Sequence, residues 1–376
     1  MRFLTGGESH GPCVTAILEG IPAGLAGLAE AIDRDLVRRQ SGYGRGGRMQ
    51  IESDRVEILG GVISGRTTGA PIVLRIENRD WENWRDLCAS GELPPLTVPR
   101  PGHADWAGMA KYAMEDARPI LERASARETA ARVAVGAVAK CLLTEFGIRV
   151  GSAVTSIGEA QAPTPKADWD AAWEQAERSS VRCADAEATQ RMTEAIDAAR
   201  EAGDSLGGTF LVAATGVPPG LGSHVHWDRR LDARIAEALI SIPAIKGVEI
   251  GPAFDNARRR GTVVHDAFVP ANGGVTRPTN RAGGLEGGIS NGEAIVVRAA
   301  MKPIPTTIAP QPSVDLSTGG ATEIEYQRSD VCAVPAAAVV GEAMLAWTLA
   351  DALCEKLGGD SLDEMKAHEG AWHPRG

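Results

Sequence analysis

The stretch "SGYGRGGRM", residues Ser41–Met49, places Gly42, Gly44 and Gly47 at the G-x-G-x-x-G spacing of a dinucleotide-binding loop. Such a loop needs a strand before its glycines and a helix after them, so that a pyrophosphate rests on the helix N-terminus. Here the order is reversed. "GLAEAIDRDLVRRQ" (Gly27–Gln40) comes first, with Leu28, Ile32, Leu36 and Val37 at helical spacing, and "MQIESDRVEIL" (Met49–Leu59) reads as extended chain. A doubly wound nucleotide fold is therefore excluded, and the arginines carry the interest. Arg38, Arg39, Arg45 and Arg48 crowd a loop whose glycines leave the backbone bare. Guanidinium groups bind carboxylate or phosphate bidentately, and bare N–H groups add to such a nest. A solvated basic turn has the same composition, so the loop alone leaves both readings open.

Outward from the loop, "RVEILGGVISG" and "PIVLRIENR" read as a strand pair, and "PILERASARETAARVAVGAVAKCLLTEF" (Pro119–Phe146) as one alanine-rich helix with Gly136 in its middle. So few large side chains allow close approach, which places this helix inside a helical layer. "RVGSAVTSIG", "GGTFLVAATG" and "GEAIVVRAAMKP" read as strands. A polar segment near 184–202, "DRRLDARIAEALISI" and "VPAAAVVGEAMLAWTLADALCEKLGG" read as helices, the last closed by Gly358 and Gly359. Strands in adjacent pairs with helices grouped elsewhere indicate an α+β fold. One domain is expected over 1–360, with a polar C-terminal tail, 361–376, that frays.

Among 376 residues, 44 are Gly and only 4% are aromatic, which suits tight turns and argues against a base-stacking platform. A formal charge of -10 argues against coating nucleic acid or an anionic membrane, so neither is an expected partner. The arginine clusters point instead to a focused pocket for a small anion. The six cysteines show no C-x-x-C pair and no metal-finger spacing. With no apolar segment in "MRFLTGGESHG" and no run of about 18 apolar residues, a cytoplasmic location is expected.

His10 in "GGESHGPC" and His103 in "PRPGHADW" sit on Gly/Pro loops with little core to satisfy them, which makes both acid/base candidates. His224 and His226 in "GSHVHWD" lack a third ligand at a recognised spacing and read as a surface turn, so no metal is expected. Arg328 and Asp330 precede the last long helix, where an N-cap or an ordinary ion pair is the simpler reading.

Eight ordered motifs change the weight of these candidates. They are "GESHGP" (7–12), "RRQSGYGRGGRM" (38–49), "RPGHAD" (100–105), "ERASARETAARVAVGAVAK" (122–140), "SIPAIKGVEIG" (241–251), "GGISNGEAI" (287–295), "KPIPT" (302–306) and "RSDVCAVPAAAVVGEAMLA" (328–346). Together they resemble the chorismate synthases over nearly the whole chain. The resemblance implies a β-α-β sandwich, a helical layer between antiparallel sheets, usually assembled as a homotetramer. It implies a lyase that converts 5-enolpyruvylshikimate 3-phosphate to chorismate by anti-1,4 elimination of phosphate, with reduced FMN and no net redox change.

Carried over residue by residue, the resemblance implies catalysis by His10, His103 and Asp330. His10 would meet the leaving phosphate, His103 would keep a proton near the flavin, and Asp330 would assist removal of the ring proton. Substrate binding would fall to Arg39, Arg48, Arg100 and Arg127. FMN would be held by Arg123, Ala124, Ser125, Pro243, Ala244, Gly287, Lys302, Pro303, Ile304, Pro305, Thr306 and Arg328. Arg39 and Arg45 would also meet NADPH, a source of flavin reduction. "GPAF" (251–254) departs from the family's Gly-Asp-Gly-Phe and puts the missing Asp's polar contact in doubt. Two rivals are a reductase consuming NADPH and a non-enzymatic anion-binding module. Neither accounts for His10, His103 and Asp330 occurring together.

Overall fold

A computed structural model describes residues 1–46, 53–90, 93–165, 168–271, 274–324 and 329–372. Two antiparallel sheets frame it. The first contains β1 (Arg2–Gly6), β2 (Cys13–Glu19), β3 (Val56–Gly60) and β4 (Ile72–Glu77), in the order β1-β2-β4-β3. The expected strand pair is β3 and β4, with Val56 opposite Ile76. Period-two alternation turns Val14, Ala16, Leu18, Ile72, Leu74 and Ile76 into the core and leaves Leu4 and Ile17 exposed.

The second sheet has the order β8-β9-β7-β5-β6. Its strands are β5 (Arg149–Ile157), β6 (Ala160–Gln161), β7 (Gly208–Thr215), β8 (Ile245–Ile250) and β9 (Ile295–Met301), all paired antiparallel. The helices that matter for the site are α1 (Leu28–Gln40), α2 (Asp105–Tyr112), α3 (Arg118–Ala124) and α4 (Thr129–Thr144). They continue with α5 (Trp169–Arg178), α6 (Ala186–Glu201), α7 (Leu231–Ile240), α8 (Val334–Leu357) and α9 (Leu362–Ala371).

Helix α4 packs on the first sheet and on α1 and α8, while α8 packs on β5 and β7 of the second. Small residues make this possible. A Cβ added at Gly136 would stand 2.2 Å from the Cβ of Ala343, so only glycine lets the two backbones approach so closely. Helix α8 is long and apolar enough to cross a membrane by length and composition, yet 89% of its most apolar window is buried inside the protein.

A charged network lies in this interior. Glu342 of α8 is fully buried and accepts from Arg38 Nη1 and Nη2 at 2.8 Å each, from Lys140 Nζ at 2.5 Å and from Ser152 Oγ at 2.6 Å. Arg182, Asp35 and Glu177 complete the network. Three cations thus face three carboxylates, which is how a fully buried charge is tolerated.

Two expectations change. The helix expected over Pro119–Phe146 is broken at Ser125, whose extended ψ of 146 lets its side chain accept from Arg127 N and cap the turn that follows. The fraying tail is an ordered helix over Leu362–Ala371. Ser361 caps it, and Leu362 and Met365 are buried.

Candidate active site

Helix α1 ends at Gln40 and delivers the opening loop onto the segment before α8. Gly44 O accepts from Val331 N at 2.8 Å, and Gly46 N donates to Asp330 Oδ1 at 2.6 Å. Gly42 and Gly44 adopt φ of 124 and 88, a region that favours glycine, and a Cβ on Gly46 would meet Ser329 O at 2.7 Å. The glycines therefore serve a tight seam between two backbones. Asp330 caps no helix: its Oδ2 lies 2.6 Å from Arg45 Nη1, and the residue capping α8 is Ala333.

Arg38 and Arg39 point in different directions. Arg38 turns to Glu342, where burial works against its charge and the ion pair outweighs it, raising its pKa further. This arginine is structural, contrary to its grouping with the anion-binding loop. Arg39 Nη2 instead donates to Asp54 Oδ2 at 2.7 Å, and Arg127 Nη1 donates to Asp54 Oδ1 at 2.6 Å. Burial opposes ionisation of Asp54, but the two arginines hold its carboxyl below the usual range. Burial, reinforced by repulsion from Arg127 and Arg45, lowers the proton affinity of Arg39 against the pull of Asp54, and its Nε is buried without a partner. Two guanidiniums on one carboxylate leave a net positive charge, so the surroundings favour an added anion.

Arg127 Nε donates to Asn78 Oδ1 at 2.5 Å, and Asn78 Nδ2 donates to Glu8 O at 3.0 Å and Gly11 O at 2.7 Å. The arginine pair is thereby tied to the His10 loop. His10 Nδ1 lies 2.7 Å from Glu122 Oε1, and His10 N donates to Glu122 Oε2 at 2.7 Å. The Trp84 ring covers the imidazole at 4.3 Å between centroids. A cavity of about 270 Å³ opens beside it, with His10, Trp81, Trp84, Leu93, Arg118 and Glu122 in its wall.

Arg100 and His103 share Asp105. Its carboxylate accepts from Arg100 Nε at 2.8 Å, Arg100 Nη2 at 3.0 Å and His103 Nδ1 at 2.5 Å. Burial opposes ionisation there, and these bonds overcome it, so Asp105 stays well below the ordinary carboxylate range. Lys302 Nζ donates to Gly102 O in the same turn, and Ser329 Oγ donates to Thr306 O at 2.9 Å. His103, Lys302–Thr306 and Asp330 thus lie along one connected surface.

Residues expected to hold FMN are partly gathered. Arg123 donates to Gly7 O and Thr5 O, and Ser125 Oγ donates to Ser9 Oγ at 3.0 Å, beside the His10 loop. Lys302 N donates to Ala244 O at 3.0 Å, joining Pro243 and Ala244 to the lysine turn. Arg132 Nη1 donates to Ser241 Oγ at 2.7 Å and links the two groups. Gly287 is not gathered with them. Leu231 N at the start of α7 donates to Gly288 O, whereas Pro243 follows the other end of that helix, about 15 Å away by its length. Arg48 and Arg328 lie outside the described residues.

Reasoning from sequence passed over Asp54, Asn78, Trp84 and Glu122. Glu122 opens a quoted motif, but its spacing to His10 carries no signal, because the contact spans 112 positions. His226 pairs with Asp228 on the surface, and no cluster of three metal-binding side chains occurs among the described residues. In "GPAF", Glu249 Oε1 accepts from Phe254 N at 2.8 Å, so a carboxylate does serve this turn.

Buried arginines thus stand beside two histidine–carboxylate pairs. Comparison with known proteins makes this specific. The chorismate synthase family matches residues 1–354. A chorismate synthase of Rubrobacter xylanophilus is 57% identical over 369 residues, covering 97% of this chain and 94% of that one. One of Moorella thermoacetica is 56% identical over 377 residues, covering 99% and 98%. A solved structure titled "Crystal Structure of Chorismate Synthase" superposes with a TM-score of 0.81 at 48% identity, covering 98% of this chain and 96% of that one. The chain belongs to the chorismate synthase family. It is a lyase that forms chorismate from 5-enolpyruvylshikimate 3-phosphate by loss of phosphate, the last step of the shikimate pathway.

Proposed function

We propose that this lyase works with reduced FMN and holds its substrate between the His10 loop and the Arg45–Asp330 seam. The observation that carries the reading is the convergence of Arg39 and Arg127 on Asp54, which leaves a buried cation excess between the candidate catalytic groups. Arg39, Arg100 and Arg127, with Arg48, bind the phosphate and two carboxylates of the substrate; always-protonated guanidiniums suit that charge.

The donor set fits a flavin phosphate. Lys302 is partly buried, and burial together with Lys246 lowers its pKa, so this turn carries positive charge that a phosphate would relieve. Arg123, Ala124, Ser125, Pro243, Ala244, Gly287, Lys302 through Thr306 and Arg328 hold the cofactor. When bound there, reduced FMN would supply electron density to the allylic carbon–oxygen bond. His10 gives a proton or hydrogen bond to the departing phosphate, a role worth about 10²- to 10⁴-fold for a positioned acid. His103, held by Asp105, keeps a proton near the flavin, and Asp330 assists removal of the ring proton. NADPH reaches Arg39 and Arg45 as the flavin reductant.

Helices packed between two antiparallel sheets support the sandwich expected for the family, and we read residues 1–360 as one domain onto which helix α9 packs through Leu362 and Met365. Assembly as a cytoplasmic homotetramer completes the reading. The test is an anaerobic titration of FMN into wild-type protein and Lys302→Ala, with and without substrate. Affinity at least about tenfold weaker in the variant is expected, and equal affinity would remove Lys302 from the flavin site.

A further inference from the structure

We propose that Glu122 is a positioning residue for His10, a role that rests on the reading of His10 as the group facing the departing phosphate. The two oxygens of Glu122 are spent on one residue. Oε1 lies 2.7 Å from His10 Nδ1, and Oε2 accepts the His10 backbone N–H at 2.7 Å. Side chain and main chain of His10 are thus fixed by the same carboxylate, and rotation of the ring carries it against Trp84, whose centroid is 4.3 Å away.

Helix α3 supplies the rigidity. Glu122 lies one turn from its start, and the main chain of α3 is tied to the loop a second time, because Ser9 N donates to Glu122 O at 3.2 Å. A carboxylate on Nδ1 fixes the protonation of that nitrogen, so proton delivery to a ligand in the adjoining 270 Å³ cavity runs through Nε2. It also offsets the charge of the imidazolium, the form that neutralises a leaving phosphate.

The experiment is a double-mutant cycle on the holoenzyme with reduced FMN under anaerobic conditions, using Glu122→Gln, His10→Ala and both together. Glu122→Gln keeps the shape and removes the charge. It should lower kcat at least about tenfold, with substrate KM and FMN affinity within about threefold. In the His10→Ala background the same change should cost less than about twofold, because the histidine it serves is gone. Glu122→Asp keeps the charge at shorter reach and should fall between Gln and wild type, and it replaces the Gln variant should that one fail to fold. Wild-type kcat in Glu122→Gln, or an equal loss with and without His10, overturns the proposal. If His10→Ala alone retains full kcat, the reading of His10 fails first, and the proposal falls with it.

Discussion

Asp330 Oδ2 lies 2.6 Å from Arg45 Nη1, an ion pair between the residue read as assisting proton removal and one read as an anion binder. The same carboxylate accepts from Gly46 N at 2.6 Å, so Asp330 is held by the glycine loop and caps nothing. Asp330→Asn should therefore cut turnover at least about tenfold while FMN still binds. Full activity with only a lowered melting temperature would make the pair a structural seam.

Arg127 connects Asp54 to Asn78, and through Asn78 to the backbone around His10. Arg127→Lys keeps one positive charge but loses the planar fork that reaches Asp54, Asn78 and the Glu77 carbonyl. Substrate KM should rise at least about tenfold, read by steady-state kinetics with reduced FMN. An unchanged KM in a folded variant would mean that the arginine pair holds only the protein.

Arg38 stands beside Arg39 in sequence and does a different job. Arg38→Met strips Glu342 of its bidentate partner, and breaking a buried ion pair costs about 3–5 kcal/mol. Denaturant unfolding should show a loss of that order, with kcat/KM of the folded enzyme unchanged. A kinetic defect without a stability defect would return Arg38 to the anion site.

Acid should unfold the chain in a defined window. Burial opposes ionisation of Asp54, Asp105, Glu177 and Glu342, but arginine, lysine or histidine partners outweigh it and depress all four, Glu177 to about 2. Unfolded carboxylates take up protons near pH ~4. The stability these groups contribute is therefore present above about pH 4.5 and lost as pH falls through the lower folded values. The thermal midpoint should stay flat from about pH 7 to 5 and drop between about 4.5 and 2. A midpoint unmoved at about pH 3 would contradict this account.

Much of the fold was legible because it rests on local periodicity. The helical face of Leu28, Ile32 and Leu36 and the β-branched runs of β4, β7 and β9 each declare their element within ten residues. Gly136 also announced a close approach, and the structure names Ala343 as its neighbour. The break at Ser125 was hidden, because alanine-rich chain on both sides has high helix propensity and one side-chain cap decides the matter. The candidate site residues were named through motifs, residue by residue. Its connections were not: Asp54 joins Arg39 to Arg127 across 15 and 73 positions, and Glu122 meets His10 across 112. No spacing rule spans such distances, so partners emerge only after folding.

The most direct test of the whole reading is anaerobic turnover of 5-enolpyruvylshikimate 3-phosphate with chemically reduced FMN, set beside NADPH plus oxidised FMN. Chorismate and phosphate should form in equal amounts, many per flavin, with the flavin still reduced at the end, and any NADPH consumed should match only the flavin reduced. NADPH oxidised in step with product, or reduced flavin yielding no chorismate, would contradict it.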